Sequence, residues 1–238
     1  MLSTAASAVS LHERKQAALL GMFIGDALAM PVHWYYDVKN IQRAYGQIKG
    51  YTKPDEEMHG GYMGKIAIGG GSLGRAGYEG NVIGTVINHG KDIFFDPNMK
   101  YSYHPTLNAG EETLEGSIAR VLIRTLTKDA GKFNSKSFLD AYVKFMTTPG
   151  SHNDSFASSH HRHFWGNYAA GIAPEECAEA SDKVHDASDA FTFPIPILIA
   201  ELGSDNEAAK KDALSVNKLF RKSETLDKWV DLYLVMLT

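Results

Sequence analysis

A chain of 238 residues with 44% apolar content can bury a sizeable core and reads as a single domain, 1–238. Its formal net charge of −4, with no dense cluster of lysine and arginine, excludes a basic footprint for nucleic acid. The longest apolar run, FTFPIPILIA, is about half the length of a membrane span and holds Pro194 and Pro196, which argues against a membrane partner. Cys177 is the single cysteine, so no intrachain disulfide can form. With no secretory apolar stretch at the N-terminus, a reducing, cytoplasmic setting is the expectation.

Helical periodicity dominates along the chain and strand signals are few. The first helix is predicted from about Leu11 to Met30, with Ala18, Leu20, Phe23, Ile24, Ala27 and Leu28 forming its buried face. Gly21 and Gly25, one turn apart, would let another backbone come close. Residues 60–90 are dense in glycine, including GGGSLGRAG, and read as a long irregular loop with a short helix at NVIGTVINHG. A second helix is predicted from about Leu107 to Lys128, capped by Thr106 or Asn108. A third, SKSFLDAYVKFM, is capped by Asn134 or Ser135 and stopped by Pro149 and Gly150. Further helices are predicted at PEECAEASDKVHDAS, at NEAAKKDALSVNKLF and from Ser223 onward. The last keeps Leu226, Trp229, Leu232, Tyr233, Val235 and Met236 on one face and has no stop signal. It reads as a chain cut inside a helix or as a docked terminal helix.

Four stretches could carry chemistry. In GMFIGDALAMPVHWYY, Asp26 interrupts an apolar pattern. A carboxylate taken out of water costs several kcal/mol unless a polar group or metal meets it, so Asp26 is either exposed at a helix end or employed, with His33 beyond the Pro31 break as its neighbour. In HPTLNAGEETLEGSIARVLIRTL, Glu111 and Glu112 would fall in a first helical turn, where the helix dipole stabilises acids. Glu111 also heads the stripe of Leu114, Ile118, Val121 and Leu122, and with Thr113 the pair offers hard oxygens suited to Mg²⁺. The segment GSHNDSFASSHHRHFWGNY crowds His152, Asn153, Asp154, His160, His161 and His163 beside Arg162 and Trp165. It reads as a solvated histidine surface, a zinc site without a standard ligand spacing, or a purine or sugar pocket lined by His152, Asn153, Asp154 and Trp165. The fourth, GGGSLGRAGYEG, lacks the Gly-Lys-Ser/Thr of a phosphate-binding loop.

In this order, GDALAMPVHWYY, a glycine-rich loop, GEETLEGSIARVL and HNDSFASSHHRHFWGNY resemble the ADP-ribosylglycohydrolase family, most closely its J-type crystallin branch. The resemblance implies an all-α, compact orthogonal helical bundle. It also implies two Mg²⁺ ions above an ADP-ribose cleft, and cleavage of the bond between ribose and an acceptor. Carried over by motif, Asp26, His33 and Glu112 are the catalytic candidates, and Glu111, Glu112 and Thr113 the metal ligands. Three departures accompany the match. Gly110 stands where the family's metal motif begins with Thr, His33 stands where catalytic members carry an acid, and nothing after Asn217 supplies the family's second metal motif. The expected function is Mg²⁺-dependent hydrolysis of an ADP-ribosyl bond. The alternatives are a crystallin-like structural protein or a noncatalytic ADP-ribose binder, and a zinc hydrolase centred on His152 to His163.

Overall fold

The structure, a computed structural model, describes residues 9–57, 86–95, 101–178, 187–203 and 205–238. It is all-α: α1 (Leu11–Ala29), α2 (Val38–Tyr45), α3 (Leu114–Lys128), α4 (Ser135–Thr147), α5 (Ser159–Ala169), α6 (Pro194–Glu201), α7 (Asn206–Ser215) and α8 (Glu224–Leu237), with short 3₁₀ turns between them. Among the described residues there is no strand, only an isolated bridge between Glu57 and Tyr101. None of the described helices is long and apolar enough to cross a membrane. Most of the predicted glycine-rich loop lies outside the described residues, as does 179–186 of the predicted helix at 174–188, whose start is a 3₁₀ turn, Pro174–Glu176.

Local chemistry starts most of these helices. Ser10 and Glu13 form a reciprocal capping box on α1. Asn134, Asp205 and Ser223 accept backbone N–H groups at the starts of α4, α7 and α8. The apolar run FTFPIPILIA forms α6, where Pro194 occupies the first turn and removes no helical hydrogen bond.

Two expectations are corrected. The helix predicted from Leu107 begins at Leu114. Gly110 takes a left-handed φ of 84° and breaks the pattern, leaving 104–113 as successive turns closed by Leu107 N–H to His104 O and Glu111 N–H to Asn108 O. In α1, the predicted stripe of Leu20, Ile24 and Leu28 is exposed, as is Ala18, and Gly21 and Gly25 face open space. The helix is rotated so that Met22, Phe23, Asp26 and Ala27 turn toward the bundle. A single helix cannot present both stripes to one core, and the one that brings Asp26 inward is chosen.

The core joins α3, α4, α5, α6, α7 and α8. Phe220, which follows a 3₁₀ turn (Val216–Leu219), is 1% exposed and lies within 5.1–6.1 Å, centroid to centroid, of Phe138, Tyr142, Phe164, Phe193, His160 and His161. Edge contacts of this kind add to simple burial. Replacing Phe220 with Ala is expected to cost about 3–5 kcal/mol of unfolding free energy, read from the midpoint of a urea transition. A loss under about 1 kcal/mol would show that this ring is not the keystone of the core.

Candidate active site

The site is built around the first residues of α3. A helix start leaves backbone N–H groups unpaired, and here two distant carboxylates take them. Thr113 donates its backbone N–H to Asp26 Oδ2 at 2.7 Å and its hydroxyl to Asp26 Oδ1 at 2.8 Å. Leu114 N–H donates to Asp154 Oδ2 at 2.8 Å, and Phe156 N–H donates to Asp154 Oδ1 at 2.9 Å. Asp26 is therefore employed, as the inward turn of α1 requires. Gly116 makes room for it: a Cβ there would stand 2.8 Å from Asp26 Oδ2 and 2.7 Å from Glu112 Cβ.

The two acids are pushed in opposite directions. Burial drives the Asp26 pKa above its ordinary value of 3.8, and the two Thr113 hydrogen bonds only partly offset this. Burial also opposes the charge on Asp154, but His104 and the N–H groups of Phe156 and Leu114 outweigh it and hold the carboxyl below 3.8. The partners of Asp154 thus favour its charged form, whereas burial works against the charge on Asp26.

From Asp154 a chain of imidazoles leads outward. His104 Nδ1 is 2.8 Å from Asp154 Oδ1, and His104 Nε2 is 2.7 Å from His33 Nδ1. With the His104 Nδ1 proton on the carboxylate side, its Nε2 accepts from His33 Nδ1–H, which leaves the lone pair of His33 on Nε2. Trp34 adopts a left-handed φ of 65°, a conformation costing about 1–3 kcal/mol in a bulky residue, at the bend that follows His33. His33 packs against Tyr103 and Phe156 as well as stacking on His104.

The remaining predicted residues are placed as follows. Glu111 lies before the helix, and its Oε2 accepts from Asn108 N–H at 2.5 Å and from the Asn153 amide at 3.3 Å. Glu112 pairs with Arg120 and accepts from Ser117 Oγ at 3.2 Å. Asn153 also donates to Thr106 O. Trp165 is buried in the core with its indole N–H given to Tyr142. His152 is buried beside His89 and donates from Nε2 to Ile87 O. The structure therefore gathers Asp26, His33, Thr113 and Asp154 around one helix start, places Glu111 and Asn153 at its rim, and sends Trp165 into the core.

His104, the link between His33 and Asp154, was absent from the sequence-derived set, although HPTLNAGEET carries it just ahead of the acids. The histidine-rich segment is not a solvated surface. His160, His161 and His163 are all at most 3% exposed. Burial first, then Arg221, pushes the pKa of His160 well below its ordinary value.

Two tests follow from this geometry. Gly116→Ala should push Asp26 off Thr113 and destabilise the fold by about 1–3 kcal/mol; a variant as stable as the parent would mean that this close approach is not real. Burial first, then His89, lowers the His152 pKa from 6.5 to about 4. The folded chain thus refuses a proton that the unfolded chain accepts, and the stabilisation is fully present above pH 6.5 and lost as pH falls through about 4. His152→Gln should flatten that part of the stability profile, by about 3 kcal/mol at most; an unchanged slope would refute it.

The family model described as ADP-ribosylglycohydrolase matches residues 7–219. No curated protein matches the chain. The match takes in α1, the Asp26 and His33 segment, the whole start of α3 and the histidine-rich helix α5. With its all-helical architecture, the chain belongs to the ADP-ribosylglycohydrolase family, a family of hydrolases.

Proposed function

We propose that the chain hydrolyses the glycosidic bond between ADP-ribose and an acceptor group, with His33 as the general base. The observation that carries this reading is the run of hydrogen bonds from Asp154 through His104 to His33. A buried anion fixes the tautomer of the first imidazole, which fixes the second and makes Nε2 the basic nitrogen of His33, the atom that would take a proton from water. The water oxygen then bonds to the anomeric carbon, and the carbon–acceptor bond breaks with its electron pair leaving on the acceptor. The imidazolium returns the proton to the acceptor. Asp26 and Thr113 position the start of α3, whose dipole favours anionic groups, and Asn153 and Glu111 border the same end.

Mg²⁺ at Asp26, Glu111, Glu112 and Thr113, implied by the family motif, does not fit the side chains as they are folded. Both Asp26 oxygens accept from Thr113, Glu111 is held by Asn108 and Asn153, and Glu112 is neutralised by Arg120. Gly110 is left-handed, a conformation that strains the β-branched Thr of the family's motif. No step is therefore routed through Mg²⁺. These same pairings favour a second reading, an ADP-ribose binder or crystallin-like protein without turnover.

Release of ADP-ribose from substrates linked through nitrogen or oxygen separates the two. Under the first reading, His33→Gln should lower kcat by about 10²–10⁴-fold while the circular dichroism of the chain is unchanged. Turnover unaffected in a folded His33→Gln variant would remove His33 from the chemistry. Binding of ADP-ribose with no product would establish the second reading.

A further inference from the structure

A second cluster lies across the first turns of α3 and α5, apart from the His33 chain. Glu115 is on α3, and His160 and His161 are on α5. Glu115 Oε1 is 3.2 Å from His161 Nε2 and 3.6 Å from His160 Nε2, and one ligand atom from each of the three lies within 4.8 Å of the others. Both Glu115 oxygens and His161 Nε2 are buried without a hydrogen-bond partner. Glu115 Oε1 and His161 Nε2 thus face each other at 3.2 Å without forming a hydrogen bond, a costly arrangement for buried polar atoms that a bound cation would relieve.

We propose that Glu115, His160 and His161 form a divalent transition-metal site of the zinc type, clamping the start of α3 to the start of α5.

Spacing supports this. Ligands at about 2.0–2.2 Å from zinc with tetrahedral angles stand about 3.4 Å from one another, and the two carboxylate–imidazole distances bracket that value. The donor set of two imidazoles and one carboxylate suits zinc rather than Mg²⁺. The outer partners also suit it. His161 Nδ1 is 2.9 Å from Tyr142 Oη, itself held by the Trp165 indole N–H, and His160 Nδ1 is 3.4 Å from Asp189 Oδ2. His161 is thereby anchored through Nδ1 and presents Nε2 to Glu115, as ligating histidines do, whereas Arg221 lies 2.8 Å from Nδ1 and 3.2 Å from Nε2 of His160.

Arg221 donates to Asp189 Oδ1 at 2.6 Å and lies 2.8 Å from His160 Nδ1. On metal binding His160 Nδ1–H is donated to Asp189, and Arg221 keeps Asp189 while its second nitrogen turns from the ring. Asp189 balances Arg221, and Glu115 balances one of the two charges of the cation. The side chains of His160 and His161 are 2% and 0% exposed and that of Glu115 13%, so the site is closed to a large substrate, and a water completes the tetrahedron of its cation.

The test uses the full chain, stripped with chelator and dialysed against Zn²⁺ alone, with bound metal counted by mass spectrometry. One Zn²⁺ per chain, a raised Tm, and at least a tenfold weaker Kd in Glu115→Gln and in His161→Gln are expected. Co²⁺ in the unmodified chain should give the intense visible bands of a tetrahedral nitrogen and oxygen site, a readout that depends on no variant's folding. Failure to retain Zn²⁺, octahedral Co²⁺ bands, or affinity unchanged in folded Glu115→Gln and His161→Gln would overturn the proposal. The two clusters share no residue, so the Zn²⁺ count reads the second cluster and the His33 assay the first.

Discussion

The start of α3 is the constraint on which the site depends. Its first N–H groups are not capped by their own segment; Thr113, the capping residue, makes no side-chain bond to the helix. Asp26 and Asp154 supply that cap from 87 and 40 residues away. Three parts of the chain, the end of α1, the start of α3 and the loop before α5, are thereby tied at one point. A charge-assisted hydrogen bond to a buried carboxylate is worth about 1.5–3 kcal/mol, and an orphaned carboxylate costs more than its removal saves.

That tie explains several features that look unrelated. α1 turns Asp26 inward and leaves Leu20, Ile24 and Leu28 exposed, because the hydrogen bonds of Asp26 must be satisfied in the same rotation that buries Ala27. Gly116 is needed because the carboxylate sits where its Cβ would be. Asp154 uses its oxygens on Leu114, Phe156 and His104, so the anion that caps the helix is also the one that orients the imidazole chain. Structure and chemistry share the same carboxylate.

The two histidine arrangements differ in kind. His33 and His104 form a relay running outward from a carboxylate, an arrangement suited to moving a proton. His160 and His161 point their Nε2 atoms at a single buried carboxylate, an arrangement suited to holding a cation. Tyr142 and Phe220 pack the second pair into the core, so the residues of highest chemical interest in α5 are also the best enclosed.

By itself the sequence determined the helical class, the extent of α1, α4 and α8 and the cap of α4 to within Asn134 or Ser135, because periodicity and caps act within about four residues along the chain. It also held the order of motifs that places the chain in its family. The rotation of α1, the seven-residue delay before α3 begins and the burial of the histidine-rich helix were decided only by tertiary structure. The His160 and His161 rings lie on a helix whose polar residues, by pattern alone, should face water. Contacts with Tyr142 and Arg221, each distant in the chain, help to satisfy the buried rings. His104 joined the site for the same reason: its value lies in a carboxylate 50 residues away, and no local pattern records that distance.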